Sequence, residues 1–263
     1  MTEVLYQAGA SGYDALFARV TQAFIPALIA AAQIAPGHRV LDVATGTGAA
    51  ARAAMAQAGP GARVIAGDIS TEMLEIARHR PDNAGVTFEQ FDGQALPFPE
   101  DSFDRVICQL GLAFFDDPVL GLMEFRRVLT LGGRAVAVVN SLPERSLFTR
   151  IGTVIAQHVP ARVEQLNRYA SIRTPERLHR LFQAASFQDI AVQRETRAFT
   201  FESFDDYFSG TAAGAGISGQ EYVKLPLAIQ TVVRETMRRS FPDGGTRRPF
   251  IVEMEVLIGA GSK

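Results

Sequence analysis

Three aspartates, each closing a short apolar run, are the groups around which a site could be assembled. Asp42 stands in Val40-Leu41-Asp42-Val43-Ala44-Thr45-Gly46-Thr47-Gly48, Asp68 in Ile65-Ala66-Gly67-Asp68-Ile69-Ser70, and Asp92 in Phe91-Asp92-Gly93-Gln94. Glycines at 46 and 48 permit a tight turn and close backbone approach to a ligand. The helix expected behind them offers free N–H groups at its start. Such a turn alone would also suit a dinucleotide, whose pyrophosphate rests on a helix N-terminus. Asp42 argues the other way, because a carboxylate just before the turn repels a pyrophosphate. Ala49, Ala50 and Ala51 follow where a third dinucleotide glycine would be needed. The ligand should therefore carry positive charge at this point. Asp68 lies twenty residues beyond Gly48, a spacing at which a carboxylate accepts hydrogen bonds from both ribose hydroxyls. Asp92 can accept from the exocyclic amine of a base.

The surrounding elements must bring these acids together. Short, nearly all-apolar strands are expected at 38–43, 63–66, 86–91, 105–108 and 134–139. Helices are expected at 14–32 (broken near Pro26), 49–58, 71–80 and 118–129. Strands of that kind alternating with helices indicate a parallel sheet with helices on both faces. The three acids then converge at the carboxyl ends of three successive strands, where open α/β sheets bind ligands. After Asn140 the rhythm changes. Helices are expected over 142–168, 175–185 and most of 204–239, with strands at 189–201 and 250–258. In the last strand Val252, Met254, Val256 and Ile258 alternate with Glu253 and Glu255. That pattern predicts an antiparallel edge pair with one wetter face.

The segments 41–48, Gly67-Asp68-Ile69-Ser70-x-x-Met73-Leu74 and Leu96-Pro97-Phe98-x-x-Asp101-Ser102-Phe103-Asp104 resemble the class I S-adenosylmethionine-dependent methyltransferases. The likeness is to the ubiquinone/menaquinone biosynthesis-like (methyltransferase type 11) group and covers about residues 10–140. The group often has Ala-Thr-Gly-Thr-Gly in the turn, although many class I members have glycine where Ala44 stands. The resemblance implies an α/β, Rossmann-like, doubly wound sheet of seven mainly parallel strands with an antiparallel last strand. It implies S-adenosyl-L-methionine as cofactor, with S-adenosyl-L-homocysteine as product. By the same resemblance, Asp42 with Ala44, Thr45, Gly46 and Gly48 hold the methionine part, Asp68 the ribose, and Asp92 with Gly93 the adenine. Ile69 and Met73 pack near the nucleoside, Gln109 and Leu110 lie beside the methionine part, and Tyr13 closes over the cofactor. Residues 1–140 form the cofactor-binding part. Residues 141–263 complete the same domain, with helical cap or substrate segments at about 141–188 and 202–249. The acceptor is expected to be a small, apolar or aromatic molecule. An RNA or protein acceptor, a dinucleotide oxidoreductase and a non-enzymatic cofactor-binding protein are the competing readings.

Other reactive groups read more plainly. Asp101 and Asp104 are expected to serve turns and caps, and Cys108 to be a small buried hydrophobe. His158 is the only histidine in a segment that could overlie the site, and it is the candidate general base. Phe114 and Phe115, just past the fourth strand, are candidate pocket residues. The series Phe199, Phe201, Phe204, Tyr207 and Phe208 fits packing better than a pocket. With 263 residues, 47% hydrophobic and 21% charged, the chain has the make-up of a globular enzyme. A net charge of −2 with no basic stripe argues against nucleic acid as a partner. One cysteine allows no intrachain disulfide, no metal site is expected, and no run is long enough to span a bilayer. The start, 1–14, lacks the regions of a signal peptide. A cytoplasmic protein is the expectation, and a homodimer is left open.

Overall fold

The apolar run at Val40–Val43 becomes β1 (Arg39–Val43), whose last four residues are buried. It lies between two parallel neighbours, β2 (Arg63–Asp68) and β4 (Phe103–Gln109), with Leu41 opposite both Ile65 and Val106. β3 (Val86–Gln90) pairs in parallel outside β2, and β5 (Leu129–Asn140) outside β4. β6 (Gln188–Phe201) and β7 (Phe250–Ser262) complete a seven-stranded sheet of order β3-β2-β1-β4-β5-β7-β6. β7 runs against β5. Gly132 N–H donates to Lys263 O and Lys263 N–H to Gly133 O, whereas farther along β5 Ser141 N–H donates to Glu255 O. Strand order reverses between β1 and β4, which puts a topological switch point beside the Gly-rich turn. The expected fold is therefore present. The structure is a computed structural model and describes residues 16–159, 171–214 and 216–263.

Two compact units share the chain. The larger comprises Gln22–Val139, Ile172–Glu195 and Val256–Lys263; the smaller comprises Met1–Thr21, Asn140–Ser171 and Thr196–Glu255. In the larger unit, α2 (Ile25–Ala32) follows α1 (Leu16–Gln22), which belongs to the smaller. The break falls at 23–24, close to Pro26 as expected, and Pro26 sits in the first turn of α2, where proline is tolerated. α3 (Ala49–Ala58), α4 (Thr71–His79), α5 (Pro118–Val128) and α7 (Pro175–Ala184) complete the larger unit's helices. Its core joins Leu41, Val43, Ile65, Val106, Leu122 and Phe125. Phe91, Phe98 and Phe103 meet edge to face, with centroids 5.4 and 5.1 Å apart. β5 starts at Leu129, earlier than expected, because the Gly132-Gly133 backbone joins the ladder to Lys263.

The smaller unit contains α6 (Leu147–His158), α8 (Phe204–Ala212), α9 (Gly216–Val223) and α10 (Leu227–Arg239). Ser146 caps α6 through Thr149 N–H. Phe201, Phe204, Tyr207, Phe208, Phe241 and Phe250 are all buried. Phe241 and Phe250 have centroids 4.9 Å apart, so the aromatic series is this unit's core. Glu255 departs from its expected wet face and is buried. Ser141 Oγ donates to its Oε1 at 2.5 Å and Arg145 Nη1 to its Oε2 at 2.9 Å. A buried carboxylate with such partners escapes most of the desolvation penalty. Among the described residues no helix is long and apolar enough to cross a membrane.

Candidate functional site

β1 carries Asp42 into the interior, where it is 0% exposed. Its Oδ2 accepts the Thr45 hydroxyl at 2.6 Å, and among the described residues its Oδ1 has no hydrogen-bond partner. Burial pushes this carboxyl up to about 7; the Thr45 hydroxyl opposes the rise and Asp68 adds to it. Asp68, at the end of β2, reaches the same turn. Its Oδ2 accepts Gly46 N–H at 2.8 Å and its Oδ1 accepts Ser70 N–H at 3.0 Å. Burial raises the Asp68 carboxyl, and the amides of Ser70, Gly46 and Ile69 pull it back down. Thr45 N–H donates to Gly67 O at 3.0 Å, tying the turn to β2. Two carboxylates from adjacent strands thus hold one loop between them.

Ala44 takes φ +57°, a left-handed conformation that costs an L-residue roughly 1–2 kcal/mol. This explains why glycine suits the position. The Ala44 methyl is accommodated by Gly111, where a Cβ would come within 2.3 Å of it. At Gly67 a Cβ would meet the Phe91 ring at 2.1 Å, so the bare position lets that ring seat beside the site.

The third acid lies at the end of β3 and is exposed. Asp92 Oδ1 accepts Gln94 N–H at 2.9 Å, and Asp92 O accepts Ala95 N–H at 3.0 Å. Gln94 Oε1 in turn accepts Asp117 N–H at 2.7 Å, while Asp117 Oδ1 caps α5 through Val119 and Leu120 N–H. Glu124 and Arg127 of α5 hold the backbone at Leu96 and Phe98. The start of α5 therefore fixes the loop that presents Asp92. Gly93 abuts Phe115, whose ring a Cβ there would approach to 2.3 Å.

The predicted residues separate into groups. Asp42, Thr45, Gly46 and Asp68 are joined by direct hydrogen bonds. Ile69 is 52% exposed and Met73 is buried one turn along α4. Gln109, the last residue of β4, and Leu110, just past it, are half-buried, and Leu110 N–H donates to Val138 O at 2.9 Å. Phe114 is half-buried, but Phe115 packs edge to face on Phe125, so the core takes up its ring. His158 belongs to the smaller unit, with Nε2 3.5 Å from Thr236 Oγ1. Tyr13 lies outside the described residues. Asp104 is held well down, to about 2, by Arg39. Cys108 is buried with its thiol pushed up to about 12, which leaves it inert. Sequence reasoning missed Asn83, whose amide reaches the back of the Gly-rich loop. Its only signal, Pro81-Asp82-Asn83, reads as an ordinary turn.

Among the described residues neither Asp42 nor Asp68 has a cationic side-chain partner. A buried carboxylate oxygen without a donor, beside a second carboxylate and a tight backbone turn, fits a ligand bearing an ammonium and a ribose. It does not fit a phosphate.

The chain is similar to known methyltransferases. A family model for methyltransferase domains matches residues 41–137. The demethylmenaquinone methyltransferase of Deinococcus radiodurans is 34% identical over 178 residues, covering 62% of this chain and 71% of that protein. The ubiquinone/menaquinone biosynthesis C-methyltransferase UbiE of Stenotrophomonas maltophilia is 42% identical over 111 residues, or 41% of this chain. That match spans 44% of UbiE, less than half its length. Among solved structures, the BH2331 protein of Bacillus halodurans C-125 superposes with a TM-score of 0.65 at 21% identity, covering 92% of this chain and 99% of that one. Phosphoethanolamine N-methyltransferase 2 of Haemonchus contortus, solved with phosphomonomethylethanolamine and S-adenosylhomocysteine, gives 0.62 at 17% identity, covering 99% of this chain and 58% of that one. These two likenesses concern the fold.

Proposed function

The chain belongs to the class I S-adenosylmethionine-dependent methyltransferases, in their ubiquinone/menaquinone biosynthesis-like group, and from that premise we propose that it methylates a small, apolar or aromatic molecule by in-line displacement. The observation that carries the cofactor assignment is the fully buried Asp42, whose Oδ1 has no partner among the described residues. The acceptor class draws support from the relatives, which are named for quinone biosynthesis. It also draws support from the net charge of −2, which offers a polyanion no attraction.

In this reading Asp42 pairs with the ammonium of the cofactor's methionine part, and the 44–48 backbone lines its path. Asp68 keeps a lone pair for the ribose hydroxyls, because the amides of Gly46, Ser70 and Ile69 occupy three of the about four sites a carboxylate offers. Asp92 and Gly93 face the adenine, with Ile69 and Met73 alongside. Gln109 and Leu110 flank the methionine part. The cofactor supplies an already activated methyl group on a sulfonium. The work left to the chain is to align the acceptor and exclude water, which is worth roughly 7–11 kcal/mol of barrier in favourable cases. A general base is needed only where the acceptor must lose a proton, and it contributes about 10²–10⁴-fold. His158 is the residue to substitute for that question.

Turnover to S-adenosylhomocysteine is measured against phenols, quinone precursors, amines, carboxylic acids and total RNA. Activity confined to small apolar or aromatic acceptors is expected, and turnover on RNA alone would refute the acceptor class. Asp68→Ala should weaken S-adenosylhomocysteine binding at least about tenfold, the cost of losing charge-assisted hydrogen bonds. Calorimetry showing unchanged affinity would remove Asp68 from the site.

A further inference from the structure

The Gly-rich loop is held on two sides. One side is formed by Asp42 and Asp68, already described. The other is a single side chain. Asn83 closes the short turn Pro81–Asn83 after α4 and is 4% exposed. Its Nδ2 donates to Thr47 O at 3.2 Å, in the middle of the loop, and to Ala77 O at 2.8 Å, near the end of α4. Its Oδ1 accepts Arg52 Nη1 of α3 at 3.1 Å, and Arg52 is paired in turn with Asp82 at 3.0 Å. A carboxamide is the side chain that offers two N–H donors and an acceptor on one small plane. The Arg52 contact fixes which end of that plane faces the loop.

Gly48 records the same fit from the other side. It has φ +85°, and a Cβ there would fall 2.5 Å from Asn83 Nδ2 and 3.1 Å from its Cγ. The loop can therefore come close to the amide only with a bare α-carbon at this position. Thr47 is itself buried, so a carbonyl released by Asn83 would be poorly placed to find water where the loop now stands. An unsatisfied buried carbonyl would favour any loop position that rehydrates it. Such a movement would carry Gly46, whose N–H anchors Asp68, away from its place.

We propose that Asn83, oriented by Arg52 and Asp82, is a positioning residue for the cofactor: it fixes the back of the 44–48 loop so that Asp42, Gly46 and Asp68 present one preformed surface. The inference rests on the reading that this surface binds S-adenosylmethionine. Asn83 touches the loop rather than the ligand, so its loss acts through the loop's position.

The test titrates S-adenosylhomocysteine calorimetrically into wild-type protein, Asn83→Asp and Arg52→Met. It is paired with hydrogen–deuterium exchange of the peptides spanning the loop. Asn83→Asp keeps the size and the acceptor for Arg52 but removes both donors. Its Kd should rise about tenfold or more, measured at a temperature where near-UV circular dichroism is native. Exchange should quicken in the loop and at the end of α4 while the β4 and β5 peptides keep wild-type rates. Arg52→Met keeps the donors and frees their orientation, and about a threefold weakening is expected. A folded Asn83→Asp with wild-type affinity and wild-type loop exchange would overturn the inference. Should that variant fail to fold, wild-type affinity in Arg52→Met would do so. Wild-type protein that does not bind S-adenosylhomocysteine would remove the reading and the inference together.

Discussion

Asp42 is buried with one oxygen on Thr45 and the other without a hydrogen-bond partner among the described residues. Burying a carboxylate in this way disfavours its charge until a cation arrives. Its carboxyl is pushed up to about 7, so in the cofactor-free protein it holds a proton that the unfolded chain releases near pH 4. The folded state then binds more protons between about 4 and 7, and this group's contribution to stability falls as pH rises through that window. Binding has the opposite sign, because an ammonium ligand selects the ionised form. Affinity for S-adenosylhomocysteine should increase toward a plateau above about pH 7 and fall by up to about tenfold per unit below it, with a proton released from the protein to the buffer on binding. Asp42→Asn should lose the affinity and the slope, while the cofactor-free variant is at least as stable as wild type above about pH 7. A flat affinity profile in calorimetry, or a wild-type profile in Asp42→Asn, would contradict the role given to this carboxylate. Asp42 and Asp68 were readable in the sequence because a carboxylate closing an apolar strand is costly to bury unless something binds to it. Asn83 was not, since its partners Thr47, Ala77 and Arg52 come from three other segments.

The loops are held by elements as much as by single groups. β2 shows this at Gly67, where a Cβ would stand 2.1 Å from the Phe91 ring. Phe91 in turn packs on Phe98. Gly67→Ala should therefore cost about 1–3 kcal/mol in urea unfolding, the usual penalty for overpacking. Phe91→Leu in the same chain should recover part of it, giving a non-additive pair. Strict additivity would show that the ring does not constrain β2. Strand and helix identity through residue 140 was legible because buried parallel strands are short and apolar and their turns carry glycine or proline. Boundaries were less so. β5 begins five residues before its expected start at 134, since pairing with Lys263, a contact remote in sequence, draws Gly132 and Gly133 into the strand. Glu255 likewise reads as solvent-facing by alternation, and its burial is made tolerable by partners remote in sequence, Ser141 and Arg145 among them.

For the chain taken entire, legibility divides at Asn140. The larger unit holds all three acids and a repeating strand–helix pattern that a sequence displays openly. The smaller unit draws its residues from separate segments, and its core is built from aromatic pairs such as Phe241 and Phe250. Nothing local in the sequence announces which aromatics meet. That is also why the sequence points to the cofactor more sharply than to the acceptor: the motifs that suggest the cofactor lie in one unit. Saturation with S-adenosylhomocysteine should raise unfolding stability by about 2.7 kcal/mol at one hundred times Kd. The sharpest test of the whole account is calorimetric titration of the purified chain with S-adenosylmethionine and, in parallel, with NAD. The acids at 42, 68 and 92 predict a single saturable site for the cationic nucleoside and no heat from the dinucleotide. Binding of NAD with no response to S-adenosylmethionine would contradict it.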